Sequence, residues 1–257
     1  MADKEALEGL RVLVTRPAAQ ADKLVSLLEQ QGATPVLFPL IEIKAIDASS
    51  WPIIDWRKID WLIFISRNAV QHFCVGLAKK LPARLQCVAV GNGTAQAMRD
   101  QGLTVSLQPE ISNGSEGLLT LPEMQQLNNQ KIVIVRGQGG RELLADTLQA
   151  RGATIRYIEV YSRQLPKVSS AQRNAALETD ILLATSVQSV ANLLRIFAST
   201  KEQMIAKPLI VLSERIKQYA LAQGFSDIVV TDNASDVAIM QRLTEIGAEH
   251  GQQQPIL

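Results

Sequence analysis

Cysteine and histidine are nearly missing from this chain, with two of each in 257 residues. Cys74 and Cys87 lie in apolar surroundings, HFCVGL and LQCVAV. Two buried free thiols are therefore expected, not a disulfide or a metal pair. His72 falls in NAVQHF and His250 in a polar tail, and neither has a second ligand at metal spacing. No Cys–His or Ser–His constellation is visible, so covalent catalysis has no support. Excess charge is missing too. Twenty-six Lys and Arg face 25 Asp and Glu, without the basic stripe of a general nucleic-acid binder. No apolar run approaches the ~18–20 residues that a membrane span needs. The start, MADKEALEGLR, lacks the apolar core of a secretory signal. These absences predict a cytoplasmic protein in a reducing compartment, with no nucleic-acid or membrane partner.

What is present is core material in regular alternation. At 47% apolar and 20% charged residues, the chain suits one large domain or two of ~100–150 residues. The runs VLVT, WLIFI, CVAV, IVIV, ILLA and LIVL are apolar at nearly every position. Such runs suit parallel strands covered on both faces. Between them Leu24 and Leu28, and again Leu144 and Leu148, recur at helical spacing. Gly32 and Gly152 are placed to end those helices, and Pro17 to occupy a first helical turn. The alternation predicts an α/β protein with two flavodoxin-like parallel sheets.

The order of elements repeats. Leu10–Thr34 aligns without a gap on Gln130–Thr154, an offset of 120 residues that matches Arg16 with Arg136 and Gly32 with Gly152. The same offset carries Asp60–Val70 onto Asp180–Val190 and pairs Ser66 with Ser186. Two inserted residues later, Gln101-Gly102-Leu103 meets Gln223-Gly224-Phe225, each closing a helix ahead of another strand. An internal duplication is the reading. Thr34–Ile46 and Thr154–Pro166 occupy equivalent places and are long and rich in β-formers. They are expected to run side by side as linker strands.

Open α/β sheets bind ligands beyond the carboxyl ends of their strands, where loops and helix N-termini offer N–H groups to anions. Read in that way, the loops supply Thr15 and Arg16; Ser66, Arg67 and Asn68; Gly91, Asn92 and Thr94; Arg136, Gly137 and Gly139; Thr185, Ser186 and Ser189; and Ser213. Arg141 and Asn233-Ala234-Ser235 lie in the same kind of position. Taken singly, each Ser, Thr or Asn is explained by helix capping. Together, arginines and glycines on one edge of both sheets suit a large polyanion held between lobes. Gly91-Asn92-Gly93 and Gly137-Gln138-Gly139 each open a GxGxxG pattern, but Gln96 and Glu142 replace the third glycine. A dinucleotide site is therefore weak, and the absence of GxxxxGK[ST] removes a P-loop. Tyr161, in IEVYSR, carries a phenol able to donate or accept a hydrogen bond, or simply to pack in its strand.

The segments VLVTRPAAQADKLVSLLEQQGATPVLFPLIEI, DWLIFISRNAV, VAVGNGTAQAM, VRGQGGRELLADTLQARGATIRYIEVYSR and DILLATSVQSVANLL follow one another from about residue 10 to 245. In that order they resemble the uroporphyrinogen-III synthase family. The resemblance implies two α/β lobes joined by a two-stranded antiparallel linker, with the first βα unit swapped onto the C-terminal lobe. One lobe would hold residues 1–39 and 164–257, the other residues 40–163, with linker strands at about 34–46 and 154–166. It implies a monomer that uses no cofactor and acts on hydroxymethylbilane, which bears an acetate and a propionate on each pyrrole.

The implied reaction loses the ring-A hydroxyl as water to give an azafulvene. Ring D then attacks through its substituted carbon, and the resulting spiro-pyrrolenine fragments and recloses with that ring inverted. Unaided, the bilane closes to the symmetric isomer I, so the enzyme's task is largely to hold the substrate in another fold. One proton donor near the departing hydroxyl suffices. The resemblance gives that place to Tyr161, and carboxylate binding to Ser66, Thr94 and Ser186, with Arg16, Arg67 and Arg136 as looser candidates. Glu214 beside Ser213 departs from the small or hydroxyl residue expected there. The rival reading is a non-catalytic bilobal cytosolic protein that binds an anionic ligand.

Overall fold

The computed structural model describes residues 7–17, 20–77, 80–110, 114–140 and 142–251, with side chains described to residue 247. Ten strands are described: β1 (Arg11–Val14), β2 (Thr34–Leu37), β3 (Glu42–Ala45), β4 (Trp61–Phe64), β5 (Gln86–Ala89), β6 (Lys131–Gly137), β7 (Thr154–Gln164), β8 (Ile181–Ala184), β9 (Leu209–Val211) and β10 (Ile228–Val230). The helices are α1 (Asp22–Gln30), α2 (Arg67–Gly76), α3 (Asn92–Asp100), α4 (Ser115–Leu119), α5 (Leu143–Ala150), α6 (Ser170–Leu177), α7 (Val187–Ile196), α8 (Lys201–Ile205), α9 (Glu214–Gln223) and α10 (Asp236–Gly251). The chain divides into two compact units, Met1–Glu42 with Gln164–Leu257 and Ile43–Arg163.

Each unit is α/β and has its own five-stranded sheet. The first sheet runs β10-β9-β8-β1-β2 and the second β3-β7-β6-β4-β5. In the first sheet β1 lies parallel to β2 and β8, and β9 lies parallel to β8 and β10. In the second, β4 lies parallel to β5 and β6, and β6 parallel to β7.

The apolar runs form strands because both faces of each sheet are covered. Successive side chains of a strand point to opposite faces. Leu13 accordingly joins one apolar cluster with Leu182, Ala184, Leu209 and Val211, while Val12 and Val14 join another with Ile181, Leu183 and Ile210. The second unit repeats the plan, with Leu62, Phe64, Val133 and Val135 on one face and Ile63, Val88, Ile132 and Ile134 on the other. Each buried Val, Leu, Ile or Phe among them contributes about 1.5–3 kcal/mol by leaving water.

Two aspartates at strand starts make matching contacts. The Arg11 N–H donates to the Asp180 carboxylate at 2.8 Å, and the Lys131 N–H to that of Asp60 at 2.9 Å. In return, Asp180 N–H donates to Arg11 O and Asp60 N–H to Lys131 O.

Gly32 and Gly152 follow the last residues of α1 and α5 with φ of 83° and 93°, the left-handed helix stop expected of them. Three expectations need correction. Pro17 does not open α1; that helix begins at Asp22, and the Pro17 carbonyl accepts the Gln20 N–H at 2.9 Å. The stretch 34–46 is not one strand. It breaks after Leu37, so that β2 is an edge strand of the first sheet and only β3 lies beside β7. Buried Phe38 and Leu40 flank Pro39 at that break, and proline supplies no ladder donor. Pro35 is tolerated because Thr34 and Phe38 donate toward β1, which leaves its own nitrogen on the open edge. Finally, the segment after Gly102 forms only an isolated parallel bridge, Val88 with Leu107, where its counterpart after Gly224 forms β10.

Candidate functional site

In the second unit β7 runs past the end of β6, and the ladder slips between Arg136 and Gly137. Arg136 faces Glu159 but Gly137 faces Tyr161, so Val160 is skipped. The slip lays the Tyr161 ring over Gly137. A Cβ at residue 137 would stand 2.5 Å from two ring carbons, so glycine is required there by close approach.

Tyr161 is 0% exposed, and its hydroxyl has two neighbours. Ser66 Oγ lies 3.2 Å away, and Arg163 Nη2 donates to the phenol oxygen at 3.0 Å. The Arg163 guanidinium also lies 5.3 Å from the ring centroid. Ser66 is the N-cap of α2 and accepts the Ala69 N–H at 3.1 Å. A guanidinium can only donate, so the phenol oxygen accepts from Arg163 and keeps its own proton available. The His72 ring from α2 sits 5.7 Å from the Tyr161 ring, and burial lowers its pKa below the usual histidine value.

Arg136 is differently placed. It is 4% exposed and pairs with Glu142 at 2.9 Å and with Glu159 at 3.8 Å. Its guanidinium lies 4.5 Å above the Tyr157 ring, and the Tyr157 hydroxyl donates to the other Glu142 oxygen. Tyr157, and then Arg136, hold the Glu142 carboxyl below its ordinary range. Burial first, and Glu142 next, push the Tyr157 phenol up to about 12. The Arg136 charge is thus matched inside the protein. Gly139 N–H donates to Glu159 at 3.3 Å. Arg141 lies outside the described residues.

At the neighbouring loops Arg67 is exposed at the first turn of α2 and has no ion pair among the described residues. A Cβ on Gly93 would lie 3.7 Å from its Cδ. Asn68 is half-buried, and Gly91 begins α3 with no side-chain cap. Asn92 accepts from Gln108 at 3.2 Å, while Thr94 is buried.

The first unit places its candidates on the corresponding edge. Thr15 is buried and donates to Leu183 O at 2.6 Å. Arg16 pairs with Asp236 at the start of α10. Ser186 caps α7, accepting the Ser189 N–H at 3.0 Å, and its Oγ lies 2.8 Å from that of buried Ser189. Thr185 and Ser213 are half-buried, and Ser213 precedes α9 without a side-chain capping bond. Glu214 accepts from Gln218 at 2.6 Å.

The structure therefore gathers Ser66, Gly137 and Tyr161 into one cluster and turns Arg16 and Arg136 toward acids. Two cluster members escaped the sequence reading, Arg163 and His72. Arg163 had a usable signal, since residues two apart on a strand share a face. His72 had none.

Cys74 and Cys87 are free thiols; Cys87 is buried as expected, whereas Cys74 is only half-buried. Burial, and then the neighbouring Cys74, raise Cys87 to about 11. Among the described residues no group of three or more His, Cys, Asp and Glu could hold a metal ion. No described helix is long and apolar enough to cross a membrane.

The family described as uroporphyrinogen-III synthase HemD matches residues 22–241. The uroporphyrinogen-III synthase of Escherichia coli K12 is 32% identical over 245 residues, covering 91% of this chain and all of that protein. Its Salmonella typhimurium LT2 counterpart is 31% identical over 248 residues, again 91% of this chain and all of that one. In fold, the chain is similar to uroporphyrinogen-III synthetase of Helicobacter pylori 26695, with a TM-score of 0.65 at 18% identity over 92% of this chain and 99% of the other. A mutant Thermus thermophilus uroporphyrinogen III synthase gives a TM-score of 0.60 at 15% identity over 94% and 100%.

Proposed function

The chain belongs to the uroporphyrinogen-III synthase family and is a cyclising lyase of tetrapyrrole biosynthesis, and on that premise we propose how its residues perform the reaction. The loops at the carboxyl edges of the two sheets bind the acetates and propionates of hydroxymethylbilane. Ser66, Thr94 and Ser186 take part through hydroxyls and adjoining backbone amides, with Arg67, Thr185 and Ser213 beside them. Arg16 and Arg136 shape their loops through ion pairs with Asp236 and Glu142. Holding the bilane so that ring D is inverted before closure supplies most of the selectivity for isomer III, by orientation.

Tyr161 donates the proton that lets the ring-A hydroxyl leave as water. The observation that carries this assignment is the pair of polar contacts on its oxygen, Ser66 at 3.2 Å and Arg163 at 3.0 Å, at a ladder slip kept open by glycine. Because the phenol is buried, a substrate atom reaches it when a neighbouring side chain changes rotamer. Exposed side chains do so within nanoseconds.

We read the chain as a duplication with its first βα unit exchanged. Matched at the 120-residue offset, Arg11 corresponds to Lys131 and Asp60 to Asp180, and the strand-start bonds run between the halves, Arg11 with Asp180 and Lys131 with Asp60. The order β2-β1-β8-β9-β10 likewise has its counterpart in β7-β6-β4-β5. We keep residues 1–39 with 164–257 and residues 40–163 as the two domains, a division the compact units support. A cytoplasmic monomer with no nucleic-acid or membrane partner completes the proposal. Family membership favours the enzyme over a binding-only protein.

The test is to supply hydroxymethylbilane and separate the products by isomer. Isomer III formed faster than the unaided reaction is expected. Isomer I alone, at the background rate, would remove the activity.

A further inference from the structure

A buried acid that gives up its proton leaves a buried anion, and an unpaired anion is costly away from water. Tyr161 is 0% exposed and its ring packs in the apolar cluster with Phe64, Phe73 and Val135. Something must offset the phenolate if this group is to act as an acid. One cation is in place. Arg163 Nη2 lies 3.0 Å from the phenol oxygen, and among the described residues Arg163 has no carboxylate within ion-pair distance. The other arginine with a tyrosine beneath it, Arg136, is matched by Glu142 and Glu159.

We propose that Arg163 is the positioning residue that makes Tyr161 usable, orienting the phenol by its hydrogen bond and facing the phenolate formed when the proton leaves. The inference rests on the reading of Tyr161 as the proton donor. In the step, the phenol O–H bond breaks and its proton joins the ring-A hydroxyl. The C–O bond then breaks with its electron pair going to the departing water. The cationic azafulvene is balanced by the phenolate, and the phenolate recovers a proton when the pyrrole that closes the macrocycle loses its α-hydrogen and becomes an aromatic pyrrole again. The guanidinium supplies preorganised charge where charge develops, which is the economical place for it. Because it acts through Tyr161, its removal lowers kcat rather than raising KM.

Arg163→Met and Arg163→Gln are expected to lower kcat for hydroxymethylbilane about tenfold, with KM within about twofold and an unchanged thermal midpoint. Arg163→Lys keeps a cationic donor and should restore kcat to within about threefold of wild type. In a Tyr161→Phe background Arg163→Met should cost less than about twofold further, because the group it serves is gone. Wild-type kcat in Arg163→Met, or losses that multiply fully in the double variant while Tyr161→Phe alone is slow, would overturn the role of Arg163 and leave that of Tyr161 standing. Wild-type turnover in Tyr161→Phe itself would remove both.

Discussion

Ser66 and Ser186 occupy the same place in the two units, yet they have different company. Both follow a buried strand in extended conformation and cap the next helix, accepting an N–H from three residues ahead. Ser186 then shares its hydroxyl with Ser189, whereas Ser66 shares its own with Tyr161. At the 120-residue offset Tyr161 corresponds to Ile41 and Arg163 to Ile43. Ile41 lies between β2 and β3, and Ile43 belongs to β3 of the same sheet as Tyr161, so the phenol and the unmatched cation have no polar counterpart at the matched positions. Both units place a polar loop and a helix N-terminus after a buried strand, and the proposed proton donor belongs to one of them alone.

The largest expected break in this comparison comes from Tyr161→Phe, which should slow turnover at least ~tenfold with the fold intact, as loss of even a partial general acid implies. Ile41→Ala, its counterpart, should change thermal stability and leave kcat near wild type. Next comes Gly137→Ala. Its Cβ would meet the Tyr161 ring at 2.5 Å, so either ring or strand must move. A loss of about 1–3 kcal/mol in denaturant unfolding is expected, of the size that overpacking produces, together with slower turnover.

Ser66→Ala and Ser186→Ala sharpen the contrast at smaller scale. Each should cost about 1 kcal/mol of unfolding free energy for a lost cap. Only Ser66→Ala should also lower kcat, because of these two serines Ser66 alone touches the phenol oxygen. Equal kinetic losses in both would erase the distinction between the edges.

The smallest effect is one of pH. Burial lowers the folded-state pKa of His72 below its ordinary value of 6.5, so between those two values the unfolded chain binds more protons than the folded one. Stability contributed by neutral His72 is present above pH 6.5 and is lost as pH falls through the lowered value. His72→Gln should flatten the dependence of thermal midpoint on pH in that interval.

The strands were legible in the sequence because they are buried on both faces, which removes the polar alternation of a half-exposed strand. WLIFI, IVIV and ILLA became β4, β6 and β8 within a residue or two. The break after Leu37 was harder to see, because Pro39 interrupts an otherwise continuous β-forming run. Pro17 misled because a helix-start preference does not fix where along the chain the helix begins, and α1 begins at Asp22. At the site, glycines and hydroxyls were found by position alone, but their partners were not. Nothing in the sequence says that Arg136 would be neutralised by Glu142 and Glu159 while Arg163, two residues from Tyr161, would not be. Pairing of charges is a tertiary property. The reason for Gly137 was equally hidden: the ring it accommodates lies 24 positions further along.

The central proposal is that Tyr161 donates the proton that starts ring closure. It is tested most directly by separating the product isomers formed from hydroxymethylbilane by wild type and by Tyr161→Phe side by side. Isomer III should dominate with wild type. With Tyr161→Phe the enzymatic rate should fall toward that of the unaided closure, so that isomer I takes a larger share. Isomer III at an undiminished rate from the phenylalanine variant would contradict the account.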